Sequence, residues 1–308
     1  MEFEYNATVT DRVDIAPGLM SLRIRPDTLP FEFKSGQYVV LGLRATELKI
    51  PEAGTDGDFD LEGDLDGPSD GRLALEAQAA AARLAAADPN RMLRRSYCIV
   101  SDGRPGGNLE FYITLIMSGE LTPRLFNLKA SDRLHVGPRA EGVFTIDRAE
   151  GRHILMVATG TGLAPYMSMM RNELGLGPNG RPGVRALWQC NAGRHFVVVH
   201  GAKHSWDLGY RSELTRLASR CANFHYLPAI TRPAEDTTWQ GRTGYVQTHL
   251  ASGIVERETG LTLSPDAFDI FLCGNPGMID SVTAWAEVRG FARDRGHVTG
   301  RLHAEHYW

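Results

Sequence analysis

His153-Ile154-Leu155-Met156-Val157-Ala158 runs directly into Thr159-Gly160-Thr161-Gly162-Leu163-Ala164-Pro165, and this stretch decides how the chain is read. Six residues of this kind, apolar but for one His and with no polar alternation, suit a strand buried on both faces, as in a parallel sheet covered by helices. The Gly-rich turn that follows opens a helical stretch at Pro165. A turn placed between a buried strand and a helix presents backbone N–H groups to a phosphate. The full dinucleotide fingerprint is incomplete, because Pro165 stands where its third Gly belongs. A plain structural turn is the competing reading.

Downstream, the strand reading repeats at 196–200, 224–230 and 270–273, with helix-like segments between, so the second half reads as an α/β unit. Upstream the pattern differs. Thr8–Thr10 and Met20–Ile24 flank the Pro17-Gly18 turn, and further short strands are expected at 36–43, 97–100, 109–116, 134–136 and 143–146. Short strands at close spacing predict an antiparallel barrel. The boundary is expected near Arg148–Gly151, dividing the chain into 1–150 and 151–308.

The length of 308 residues suits two domains, and 43% hydrophobic with 23% charged residues is ordinary for a soluble protein. No apolar run reaches membrane-spanning length, and the acidic start lacks the layout of a secretory signal, so cytoplasmic residence without nucleic-acid or membrane partners is expected. Cys98, Cys190, Cys221 and Cys273 are scattered with no C-x-x-C pair, which argues against a metal or iron–sulfur centre within the chain. The net charge of −4 is uneven: eleven acids and four bases between Thr46 and Met92 give −7, leaving +3 elsewhere. This segment reads as a solvated insertion in the barrel, with an Ala-rich helix at 72–87. Its Asp56-x-Asp58-x-Asp60 run fails as a calcium loop, having Leu61 at the sixth position and Gly67 at the twelfth.

Four further motifs carry chemistry. In Arg95-Ser96-Tyr97-Cys98, an Arg and a Tyr two apart on a strand share a side, so a cation meets phosphate while a ring faces a planar group; a solvent-facing Arg beside a packed Tyr is the alternative. Gly119-Glu120-Leu121-Thr122-Pro123 suits a pyrophosphate at a helix start, or equally a plain helix with Thr122 as its cap. Cys273-Gly274-Asn275-Pro276 ends a strand and should share one crevice with the 159–165 turn; Cys273 alone would read as a small buried hydrophobe. Ala304-Glu305-His306-Tyr307-Trp308 offers a carboxylate and two rings, which either anchor a terminus or stack on a cofactor.

Taken in order, R-x-Y-C, G-x-L-T, G-T-G-L-A-P, C-G-N-P and A-E-H-Y-W resemble the bacterial ferredoxin/flavodoxin-NADP reductases, from about Val9 to Trp308 apart from 46–92 and residues around 175–192. The resemblance implies a Greek-key barrel binding FAD and an α/β domain binding NADP(H). It assigns Arg95, Ser96, Tyr97, Cys98, Tyr112, Gly119, Leu121, Thr122, Thr161, Tyr307 and Trp308 to FAD. Thr159, Gly160, Gly162, Lys203, Thr231, Arg232, Arg242, Gly274 and Asn275 fall to NADP(H). Cys98, Cys273, Glu305 and Tyr307 would surround the reacting rings. Cys98 departs from the family's Ser or Thr, and a thiol is the weaker hydrogen-bond donor. Arg232 and Arg242, at and after a strand end, suit the 2′-phosphate of NADP rather than a ribose diol, although Glu235 and Asp236 lie between them. The activity implied is electron transfer between NADP(H) and ferredoxin or flavodoxin. The reductase component of an oxygenase system, a flavin or ferric reductase, and a redox-silent flavin-binding module are the alternatives. An acidic insertion would slow encounter with acidic carriers.

Overall fold

The computed structural model describes residues 4–50, 88, 91–103, 107–149, 153–175, 193–295 and 300–306. The acidic run at 56–66, the Ala-rich helix expected at 72–87, the residues at the 150/151 boundary, Cys190, Tyr307 and Trp308 lie outside them.

The first unit is built from β1 (Ala7–Ala16), β2 (Leu19–Pro26), β3 (Tyr38–Arg44), β4 (Met92–Cys98), β5 (Leu109–Thr114) and β6 (Arg133–Val136). They form a six-stranded sheet in the order β4-β3-β6-β1-β2-β5, with every neighbouring pair antiparallel. Ile99, just past β4, bridges to Phe111 of β5 and joins the two edges, so the sheet curls into a barrel. Its interior is packed with Val9, Leu22, Ile24, Leu41, Leu43 and Phe111. The turn residues between these short, closely spaced strands are what made them legible.

The strand expected at 143–146 does not form. Val143 is 73% exposed, Ile146–Arg148 is a 3₁₀ turn, and the segment's pairing stops at the single bridge from Glu141 to Tyr38. Gly142, at φ +106°, turns the chain away before a ladder can extend.

The second unit holds β7 (His153–Thr159), β8 (Phe196–Ala202), β9 (Phe224–Ile230), β10 (Arg242–Thr243), β11 (Phe268–Cys273) and β12 (Leu302–Glu305). All pair in parallel, in the order β10-β9-β8-β7-β11-β12. Residues 153–158 and 268–273 are wholly buried and apolar but for His153 and Asp269, as strands covered on both faces require. Burying each large aliphatic side chain here contributes about 1.5–3 kcal/mol. Helices α1 (Thr122–Leu125), α2 (Ala164–Glu173), α3 (Arg211–Ala218), α4 (Val246–Ala251), α5 (Ile254–Thr259) and α6 (Pro276–Val288) complete the described structure, and none is long and apolar enough to cross a membrane.

The two units share one core. Cys98, Val100, Tyr112 and Phe144 from the first pack with Tyr166, Met169, Phe271 and Cys273 from the second. Beside it, Arg171 of α2 reaches Glu110 of β5 at 3.1 Å and holds Glu213 of α3 through two hydrogen bonds of 3.0 and 2.9 Å. Tyr210 donates to Glu110 at 2.7 Å and Ser21 at 3.2 Å. Burial pushes the Glu110 carboxyl upward, but Arg171 and the Tyr210 hydroxyl outweigh it, so it stays ionised.

Candidate active site

The sheet order reverses between β7 and β11: the chain leaves β7 towards β8, β9 and β10, then returns to β11 and β12 on the other side. Ligands of open α/β sheets enter the crevice at the carboxyl ends of strands at such a point. Here the turns after β7 and β11 are in contact. A Cβ on Gly162 would lie 2.2 Å from the Cys273 carbonyl oxygen, so only glycine permits this approach. Gly274, at φ +135°, packs against Thr159, whose hydroxyl accepts the Asn275 N–H at 2.7 Å. The Asn275 side chain caps α6 by accepting from the Met278 N–H. Gly160 is different: at φ +53°, with no atom within 4 Å of where its Cβ would stand, it leaves open space above the turn.

The remaining residues expected to meet NADP(H) occupy the same edge. Lys203 follows β8, Thr231 and Arg232 follow β9, and Arg242 opens β10, paired with Ala229. Arg232 lies 3.6 Å from Glu235, and Arg242 pairs with Glu258. Trp239 donates its indole N–H to the Arg242 carbonyl at 2.9 Å.

Beneath the Gly160 turn lies a group that the sequence reading missed. His200 of β8 is fully buried beside the Tyr226 hydroxyl at 3.1 Å. Burial holds its pKa down at about 4, so the ring is neutral.

On the barrel side, a cavity of about 480 Å³ is lined by Arg91, Arg94, Arg95 and Ser96 of the β4 region, with Glu120 and Leu121 facing them. It joins two motifs that the sequence placed 24 residues apart. Its three arginines suit an anionic pyrophosphate. Arg95 donates to the Arg94 carbonyl at 2.8 Å, which keeps its guanidinium along the strand. Tyr97 packs half-buried on the barrel core, and burial raises its phenol.

One expectation changes here. Thr122 does not cap α1; Leu121 occupies that position, and the Thr122 hydroxyl instead bridges the N–H and C=O of Ile116, each at 3.0 Å. The tight 116–122 turn brings the hydroxyl back onto the strand end. Tyr112, which the resemblance assigns to FAD, is 4% exposed, and its hydroxyl reaches the second unit: it donates to the Asp207 carbonyl (3.2 Å) and accepts the Gly209 N–H (3.0 Å). Arg124, unremarked in sequence, anchors the turn by donating to the Glu120 and Ala45 carbonyls, both at 2.6 Å.

The two halves meet at Cys98. Its thiol lies 3.8 Å from a carboxylate oxygen of Glu305. Glu305 is brought there by β12, which pairs Glu305 with Cys273 across the sheet. Tyr166 stands among all three, its phenol raised by burial and then by Cys273, Glu305 and Cys98, and it donates to the Val157 carbonyl at 3.0 Å. Cys98, Cys273 and Glu305 thus converge where the barrel strand end faces the crevice, and Thr161 is half-buried in the turn after β7. Both cysteines are buried free thiols.

Residues 156–284 match the oxidoreductase NAD-binding domain family. A flavodoxin/ferredoxin–NADP reductase of Escherichia coli is 29% identical over 223 residues, covering 72% of this chain and 83% of that protein. Ferredoxin–NADP reductase B of Sorangium cellulosum is 31% identical over 214 residues, 68% of this chain and 79% of that protein. Among solved structures, a ferredoxin NADP+ reductase of Neisseria gonorrhoeae with bound FAD and NADP superposes with a TM-score of 0.70 at 18% identity, covering 99% of this chain and 98% of that one. The barrel with its basic cavity, the parallel sheet with its glycine crevice, and these relatives agree: the chain belongs to the ferredoxin/flavodoxin–NADP reductase family.

Proposed function

We infer that the protein is an FAD-dependent oxidoreductase that moves electrons between NADP(H) and a small electron-carrier protein. The observation that carries this reading is the meeting of Cys98, from the strand that lines the basic cavity, with Cys273 and Glu305 at the coenzyme crevice. When bound, FAD would supply the chemistry, taking one hydride, with its two electrons, from NADPH and passing the electrons on singly.

The chain's residues bind, orient and exclude water. Arg95 and Ser96, with Gly119, Leu121 and Thr122 on the facing turn, are assigned to the FAD phosphates, and Tyr97 to the flat face of its ring system. Thr159, Gly160, Gly162, Gly274 and Asn275 are assigned to the coenzyme backbone, Lys203, Thr231, Arg232 and Arg242 to its 2′-phosphate end. Cys98 and Glu305 hold a proton between sulfur and oxygen where the reacting rings would meet, with Thr161 and Cys273 beside them. Tyr307 and Trp308 are proposed as covering rings on sequence grounds. The carrier is proposed to be a ferredoxin or flavodoxin, the compartment cytoplasmic, and the division of labour 1–150 for FAD and 151–308 for NADP(H).

Purified protein should show a flavin spectrum that bleaches with NADPH faster than with NADH. No bleaching with either coenzyme would remove the enzymatic reading, and faster bleaching with NADH would reverse the coenzyme assignment.

A further inference from the structure

Between Arg232 and the loop after β8 stands an arrangement of charges with no evident structural need. Glu235, on the 3₁₀ turn Pro233–Glu235, places one carboxylate oxygen 3.6 Å from the Arg232 guanidinium and 2.8 Å from His204 Nε2. The other ring nitrogen, His204 Nδ1, lies 2.9 Å from an Asp207 oxygen. The imidazole also stacks on Trp206, with ring centroids 4.5 Å apart. Two carboxylates against two ring nitrogens require both nitrogens to donate, so His204 is an imidazolium.

We propose that Glu235 is a built-in competitor for the 2′-phosphate: it occupies Arg232 while NADP(H) is absent, and His204 takes over its charge when the phosphate displaces it. This rests on the reading that Arg232 holds the 2′-phosphate. The physical case is one of exchange. The Arg232–Glu235 pair is 40% and 53% exposed, so it is screened and worth little. A phosphate with three acceptor oxygens and up to two charges binds a guanidinium more strongly than an exposed carboxylate does. A carboxylate displaced without a second cation would be left repelling the incoming phosphate. His204, itself 6% exposed and clamped by Asp207, is the fixed cation that prevents this. NAD(H) has no group with which to displace Glu235, so the competitor costs it nothing and gives it nothing. Glu235 therefore sets how tightly NADP(H) is held and how readily it leaves.

The charged groups facing His204 and Glu235 are Asp207 on the same turn, Lys203 next in the chain, and Arg232 and Asp236 on the loop after β9. Asp236 accepts the Ser205 N–H at 2.7 Å and ties the two loops together. Burial draws the His204 pKa down, but the hydrogen bonds to Glu235 and Asp207 outweigh it and the net direction is upward. The imidazolium therefore persists to higher pH than that of an ordinary histidine and is lost as pH rises further. Above it, Glu235 is left to Arg232 alone.

The test uses the FAD-loaded protein and two probes without turnover, 2′-phospho-AMP and AMP, titrated by calorimetry, alongside KM and kcat for NADPH and NADH. Arg232→Ala should weaken 2′-phospho-AMP about tenfold or more and leave AMP unchanged. Glu235→Gln should tighten 2′-phospho-AMP and lower the NADPH KM by about two- to fivefold, with AMP binding and the NADH KM unmoved. The wild-type Kd for 2′-phospho-AMP should also rise relative to that of Glu235→Gln as pH increases and His204 loses its proton. If Arg232→Ala leaves 2′-phospho-AMP binding intact, the phosphate assignment fails and the proposal falls with it. If Arg232→Ala acts as expected but Glu235→Gln changes neither probe, or changes both alike, the assignment stands and the competitor is overturned.

Discussion

Arginine meets carboxylate at two places in this protein, with opposite results. At the junction between the units, Arg171 and Glu110 are 4% and 8% exposed, and a second carboxylate, a tyrosine and a serine complete the network. At the coenzyme edge, Arg232–Glu235 and Arg242–Glu258 stand partly in water. A buried pair is fixed, because removing one partner strands the other without solvent. An exposed pair is exchangeable, and exchange is what a coenzyme that binds and leaves requires. Two histidines four residues apart repeat the contrast. His200, sealed under the glycine turn, is kept neutral, whereas His204, between carboxylates at the rim, is kept charged.

The largest effect should come from breaking the buried pair. Arg171→Met takes away the cation that Glu110 and Glu213 share, leaving Glu110 only Arg23 at 3.4 Å, and should destabilise the fold by about 3–5 kcal/mol in urea titrations. A loss under about 1 kcal/mol would mean the junction tolerates exchange as the edge does.

Next in size is the pH dependence written by His200. Its folded pKa of about 4 lies below the ordinary value of 6.5, so below 6.5 the unfolded chain takes up a proton that the folded protein refuses. Stability from this group is complete above 6.5 and declines as pH falls towards 4. At about pH 5 the decline amounts to about 2 kcal/mol. Denaturation curves at neutral and acid pH should show it, and His200→Asn should flatten that part of the profile. An unchanged slope in the variant would locate the acid sensitivity elsewhere.

Arg242→Ala sharpens the edge side of the comparison. It should raise the NADPH KM about tenfold, leave the NADH KM alone and cost less than about 1 kcal/mol in stability. Equal effects on both coenzymes would remove Arg242 from the 2′-phosphate site.

The smallest change concerns the thiol at the meeting point. Cys98→Ser replaces a weak donor with a stronger one beside Glu305 and should speed flavin reduction by NADPH about fivefold in stopped-flow traces, the worth of roughly one hydrogen bond. A slower variant would mean that the buried sulfur serves packing rather than proton holding.

Much of this was legible in the sequence, for identifiable reasons. The parallel strands announced themselves because 154–158 and 270–273 are buried on both faces and therefore apolar without interruption. The two glycine-bearing turns could be assigned to one crevice because strand ends in such sheets share an edge. What stayed hidden is what packing decides. β12 reads as a tail because His303, a polar residue, is buried there, stacked on Phe271 and flanked by Asp269 and Asp294. β10 has two residues, too few to show a period. Val143–Ile146 carried apolar residues but found no partner strand. The His204–Glu235 contact joins residues 31 positions apart across two loops, a pairing that local pattern cannot express.

The strand order has a consequence for how the protein is made. The barrel's last strand ends at Val136, whereas the crevice needs β12 and is incomplete until Glu305 has emerged. At ordinary rates of synthesis the interval is on the order of ten to thirty seconds. During it the barrel strands are all present while the β11–β12 side of the sheet is not. The direction of translation alone therefore completes the lining of the basic cavity before that of the crevice.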